Sequence, residues 1–139
     1  MLPMLGSSLT ILVVDDELAV LNLVKLILES AGYAVLQASN ARQALAFFEN
    51  RDHWVDLLLT DISMPEMSGL ELACRVSAIA PRLPVLFMTG SRAENPGIEL
   101  LREAGPFSDC AVISKPFTTC ELLGEVTGIF LTMRVKQAG

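Results

Sequence analysis

A chain of 139 residues, 52% of them apolar, sets one compact domain with a core large enough to bury a sheet on both faces. Ten basic residues against sixteen acidic ones leave a net charge of −6, which argues against the basic footprint needed for non-specific nucleic-acid or anionic-membrane contact. Cys74, Cys110 and Cys120 have no C-x-x-C spacing and only one His, His53, beside them. That excludes a zinc site or a disulfide framework and suits free thiols in a reducing cytoplasm. No apolar run reaches the ~18 residues that span a bilayer. The opening MLPMLGSSL lacks the basic n-region of a signal peptide. Residues 1–8 are expected to be a disordered lead-in and 9–139 a single domain.

Short apolar runs then alternate with amphipathic stretches. Thr10–Val14 is a continuous apolar run ending in two acids, which predicts a strand buried on both faces. From Leu18 to Ala31, Val20, Leu21, Val24, Ile27, Leu28 and Ala31 recur at helical spacing, and Gly32 supplies the left-handed stop. Ala34–Ala38 is a second strand. Asn40 with Gln43 has the spacing of a capping box, ahead of a helix whose apolar side is Ala44, Leu45, Phe47 and Phe48. Val55–Thr60 is the third strand. Leu70–Ala80 is a helix halted before Pro81, and Pro84–Met88 the fourth strand. Asn95–Pro96 fits an N-cap with proline at the first helical position, and Gly105 ends that helix. Ala111–Ile113 is a fifth strand. Thr118-x-x-Glu121 caps a last helix with Leu122, Val126, Ile129 and Met133 on one face.

Five β–α units in succession predict an all-parallel sheet with right-handed crossovers and helices on both faces. In either common doubly wound order, ligands bind at the carboxyl ends of the strands where the order reverses. Strand one ends in Asp15 and Asp16, strand three in Asp61, strand four in Thr89, and strand five runs into Lys115. A strand-end Asp often caps the following helix, but that does not explain three carboxylates, a hydroxyl and an amine on one rim. Two carboxylates about 4 Å apart repel by on the order of 4 kcal/mol at an effective dielectric near 20. Three ionised acids therefore need raised pKa values or a cation. Mg²⁺ takes one or two carboxylates together with phosphate oxygens, and Lys115 adds a compact positive charge. Such a site favours phosphoryl transfer to a carboxylate, which is already ionised at neutral pH and needs no general base. Thr89 is placed to donate a hydrogen bond to the incoming phosphoryl group.

The pieces Val13-Val14-Asp15-Asp16-Glu17, Asp61-Ile62-Ser63-Met64-Pro65 with Gly69 downstream, Thr89, and Lys115-Pro116-Phe117 stand in order over residues 9–135. Together they resemble the receiver domain of two-component response regulators. The resemblance implies a flavodoxin-like fold with strand order 2-1-3-4-5. It also implies Asp61 as phosphoacceptor, with Asp16, Asp61 and the Ser63 backbone carbonyl holding Mg²⁺ and Asp15 acting through water. Lys115 would pair with Asp61 and then with the phosphoryl group. Further implications are a cis Lys115–Pro116 bond and a loop shaped by Pro65 and Gly69. The donor implied is a phosphohistidine on a sensor histidine kinase or phosphotransfer protein, with self-catalysed phosphorylation and dephosphorylation and no external substrate turned over. The output is expected through protein contact, from a cytoplasmic stand-alone regulator or from a module of a larger hybrid kinase.

Several positions depart from the family. Val112 stands where an aromatic ring usually reports phosphorylation, and Gly90 where Ala is commoner. The stretch from Gly105 to Lys115, carrying Phe107, is longer than usual. His53 reads as a surface residue. Gly124-x-x-x-Gly128 reads as small residues at a helix contact, and Ser63 and Ser91 as residues that tune the access of water. An Asp-nucleophile phosphatase would place a second Asp where Ser63 stands. A nucleotide or flavin module would need a glycine-rich loop where Asp15-Asp16-Glu17 stands. A pseudo-receiver would not keep the acid set intact.

Overall fold

The computed structural model describes residues 9–50, 54–90 and 110–138. The lead-in, His53, Ser91, the helix expected after Asn95, and Phe107 with its loop lie outside the described residues. Five strands, β1 (Thr10–Val14), β2 (Ala34–Ala38), β3 (Leu57–Asp61), β4 (Val85–Thr89) and β5 (Ala111–Ser114), form one parallel sheet in the order β2-β1-β3-β4-β5. The described helices are α1 (Leu18–Ser30), α2 (Ala41–Glu49), α3 (Gly69–Ile79) and α4 (Thr119–Ala138).

The unbroken apolar runs of the central strands have a direct cause. Ile11, Val13, Leu57, Leu59, Leu86, Met88 and Ile113 meet α1 and α4 on one face of the sheet. Leu12, Val14, Leu58, Val85, Phe87 and Val112 meet α2 and α3 on the other. Successive strand residues point to opposite faces, so a strand covered on both must be apolar throughout. Each of the fully buried leucines contributes about 1.5–3 kcal/mol relative to exposure. Among the described residues, every buried side-chain polar atom has a hydrogen-bond partner.

Helix ends follow local chemistry. At Gly32 φ is 96°, and the Gly32 and Tyr33 amides donate to the Glu29 and Leu28 carbonyls, closing α1 in a Schellman motif. The Asn40 carboxamide accepts from the Gln43 amide, while Gln43 reaches back to the amide of Ser39, one residue before the cap. At α4 the box is reciprocal: the Glu121 amide donates to Thr118 Oγ1 at 3.0 Å, and the Thr118 amide to Glu121 Oε1 at 2.9 Å. On α4, Phe130 joins the expected apolar face and stacks at 5.6 Å on Tyr33.

Three differences from the expected pattern have physical reasons. β3 begins at Leu57, not Val55, because the Asp56 carboxylate is engaged by the Thr10 amide (2.8 Å) and the Trp54 indole (2.7 Å). That arrangement closes the amino edge of the sheet instead of extending the strand. Second, the contact expected at Gly124 and Gly128 is not found among the described residues: a Cβ at either would meet none of their atoms within 4 Å. Third, the loop after β3 holds Glu66 at φ 68°, a left-handed conformation that costs a side chain with a Cβ about 1–2 kcal/mol. Asn tolerates that region better. Glu66→Asn should therefore raise stability by about 0.5–1 kcal/mol, read as a higher urea midpoint at unchanged slope.

Candidate functional site

The parallel register brings the carboxyl ends of β1, β3, β4 and β5 to one rim. Asp15 and Asp16 follow β1, Asp61 and Thr89 are the last residues of β3 and β4, and Lys115 follows β5. Asp61 and Thr89 lie inside their strands, one residue beyond the expected ends, because the ladder continues: Asp61 pairs with Met88 and Thr89 with Ser114. The Ile62 amide still donates to the Met88 carbonyl, and the Lys115 amide to that of Thr89. Asp15, Asp61 and Thr89 are buried, and Asp16 is exposed.

One ligand oxygen from each of Asp15, Asp16 and Asp61 lies within 4.8 Å of the others. Asp15 is committed on both sides, its Oδ1 accepting from the Glu17 amide at 2.9 Å and its Oδ2 from Lys115 Nζ at 2.8 Å. Lys115 Nζ stands 3.6 Å from Asp61 Oδ1, so in this structure it holds Asp15 more closely than Asp61. Burial pushes the Asp61 carboxyl up from 3.8 to about 6; Lys115 opposes that shift, and the charges of Asp15 and Asp16 add to it. For Lys115, burial works to lower the pKa. The hydrogen bond and charge of Asp15, with the charges of Asp61 and Glu17, outweigh burial and hold it above its usual value.

Such a rim fits a hard divalent cation. Clustered oxygen donors carry more negative charge than Lys115 balances, and the carboxyl whose charged form is made costlier, its pKa raised to about 6, belongs to Asp61. Ser63 lies exposed in the loop two residues after Asp61. The Lys115–Pro116 bond is cis. Spacing alone could not reveal the Glu17 amide, which fixes Asp15, or the Thr60 hydroxyl, which donates to the Asp61 carbonyl at 2.9 Å. Trp54 sits beyond the amino end of β3, at the opposite edge from Asp61, so its fluorescence is no reporter of this rim.

The sheet order defines a flavodoxin-like fold with an acid rim at its carboxyl edge, and comparison with known proteins gives the family. A family model for the response regulator receiver domain matches residues 11–127. The response regulator receiver protein CpdR of Brucella abortus (strain 2308) is 37% identical over 84% of this chain and 92% of its own length. A CheY-like receiver domain protein from Methanospirillum hungatei JF-1 superposes with a TM-score of 0.80 at 30% identity, over 92% of this chain and 98% of that one. The response regulator TrrA of Thermotoga maritima, solved in complex with Mg(2+)-BeF, gives a TM-score of 0.70 at 29% identity, over 86% and 97%. Several other curated relatives are longer proteins, of which the chain spans about half or less. The chain belongs to the response regulator receiver domain family of two-component signalling. No helix among the described residues is long and apolar enough to cross a membrane.

Proposed function

We propose that Asp61 is the phosphoacceptor and that the domain takes its phosphoryl group from a phosphohistidine on a sensor histidine kinase or phosphotransfer protein. The observation that carries this reading is the buried Asp61 carboxylate within reach of Lys115 and two further acids on one rim. A carboxylate oxygen of Asp61 forms the new bond to phosphorus. The P–N bond breaks with its electron pair returning to the donor imidazole. Lys115 offsets charge on the transferring oxygens, and the Thr89 hydroxyl donates to one of them once the group is attached. Asp16, Asp61 and the Ser63 carbonyl would hold Mg²⁺, with Asp15 acting through water; the engagement of both Asp15 oxygens supports that indirect role. Bound there, the cation supplies neutralising charge for the phosphoryl oxygens.

The module marks itself and turns over no external substrate; the acyl phosphate acts as a labile signal read by protein contact. Val112 is buried among Phe87, Val85 and Cys110. A side chain this short and stiff at χ1 has no ring to swing outward, so the response to phosphorylation is carried by other groups. Residues 9–139 act as one receiver unit in this reading.

Incubation with Mg²⁺ and acetyl phosphate followed by intact mass tests the proposal; a chain that gains no phosphoryl group overturns it. The metal ligands have their own test by calorimetry. Asp16→Ala should weaken Mg²⁺ binding by about tenfold or more, since a hard cation loses a direct carboxylate. Binding as tight as the parent's would remove Asp16 from the ligand set.

A further inference from the structure

Gly69 opens α3 with no φ in the left-handed region, so backbone conformation does not require glycine there; space does. A Cβ at this position would run into the carbonyl oxygen and carbon of Asp61 and the Cα of Ile62. All three are backbone atoms, which cannot swing aside as the tip of a side chain can. The same stretch is tied from the other sides. The Gly69 amide donates to the Ile62 carbonyl at 2.8 Å, the Ile62 amide to the Met88 carbonyl at 3.0 Å, and the Thr60 hydroxyl to the Asp61 carbonyl at 2.9 Å. The first turn of α3 is itself anchored by Ser68, whose hydroxyl accepts from the Glu71 amide at 3.2 Å. The peptide between Asp61 and Ile62 is thus clamped between β4 and the start of α3, with glycine as the spacer.

We propose that Gly69 is a positioning residue for the phosphoacceptor, setting where the Asp61 carboxylate and the Ser63 carbonyl stand on the rim. The inference rests on the ligand roles proposed above for those two residues. Relieving a Cβ contact with fixed backbone needs a shift on the order of 1 Å, because carbon atoms settle at about 3.5–4.0 Å. Mg²⁺ demands near-ideal octahedral geometry, so a displacement of that size in two of its ligands is felt directly in affinity. The resemblance already gives Gly69 a part in shaping this loop; what it does not give is the steric reason, the approach of α3 to the Asp61–Ile62 peptide.

The experiment is Mg²⁺ calorimetry on the full chain, comparing the parent with Gly69→Ala and with Val76→Ala. Val76 is buried on the same helix and packs into the core away from the rim. Gly69→Ala should weaken the dissociation constant by about tenfold or more, while Val76→Ala, destabilised by its cavity, should stay within about twofold of the parent. Amide shifts of Asp61, Ile62 and Ser63 in metal-free Gly69→Ala should also depart from the parent's. Unchanged affinity in Gly69→Ala, or equal weakening in Val76→Ala, overturns the inference and leaves the ligand assignment standing. A parent chain that binds no Mg²⁺ overturns the ligand assignment and the inference together. If Gly69→Ala shows no cooperative unfolding, Ser68→Ala decides: it keeps the glycine but frees the first turn of α3, and an affinity equal to the parent's counts against the clamp.

Discussion

Asp61→Asn should gain no phosphoryl group in Mg²⁺ and acetyl phosphate, where the parent gains one that hydroxylamine removes. The substitution keeps the shape of the side chain and removes the nucleophilic oxygen, so loss of the adduct is a chemical effect and not a failure to fold. Lys115 keeps its closer partner, Asp15 at 2.8 Å, which should hold the rim together in the variant. Hydroxylamine sensitivity matters because it marks an acyl phosphate; a phosphoryl group on Thr89 or Ser63 would resist it. Intact mass before and after hydroxylamine gives the result, and an undiminished adduct in Asp61→Asn would falsify the assignment.

The same substitution should stabilise the metal-free protein at neutral pH, by about 2–3 kcal/mol at the conversion of 1.36 kcal/mol per pKa unit. Burial, with Asp15 and Asp16 nearby, raises the folded Asp61 carboxyl from 3.8 to about 6. The folded state therefore holds this proton more tightly than the unfolded chain does. The carboxyl favours folding most below its unfolded value, and that contribution is lost as pH rises through about 6. Asparagine is neutral throughout. The stability gap between variant and parent should be near zero at pH 4, open between pH 4 and 6, and stay level above. Taking the difference cancels the other carboxylates, which titrate in both proteins. Mg²⁺ should close or reverse the gap, because at 100 times its dissociation constant it stabilises the parent by about 2.7 kcal/mol and has lost a ligand in the variant. Urea unfolding across this pH range, with and without Mg²⁺, measures both effects. A gap independent of pH would mean that Asp61 ionises in the folded protein as it does in water.

How far the sequence reached depended on whether a residue's role was local or shared. The runs Thr10–Val14 and Ala34–Ala38 match their strands residue for residue. For the first the reason is that a strand covered on both faces has to be apolar along its length, whereas the second is a half-buried edge strand that carries Gln37. The caps at Asn40 and Thr118 and the stop at Gly32 were legible because each is closed by neighbours within five residues. At the start of β3 the apolar pattern misled. Val55 and Asp56 continue the run, but Asp56 is taken by Thr10, forty-six residues away in the chain. The face of α4 was read without Phe130, whose burial depends on the ring of Tyr33 arriving from another part of the chain.

For the site, the sequence alone determined which groups are present and, through the βα alternation, that they gather at one rim. Charge count determined that raised pKa values or a cation are needed there, since one lysine does not balance three acids. Only the tertiary structure decided how those charges are divided: Lys115 lies nearer Asp15 than Asp61, and both oxygens of Asp15 are engaged. It also decided that Asp61 is the carboxyl that burial drives toward neutrality, and that Gly69 is required by the approach of a helix and not by a turn. The division has one physical reason. Periodicity and capping are set by near neighbours in the chain, whereas desolvation, ion-pair choice and steric clearance depend on distances across the sheet, which exist only once the strands have assembled.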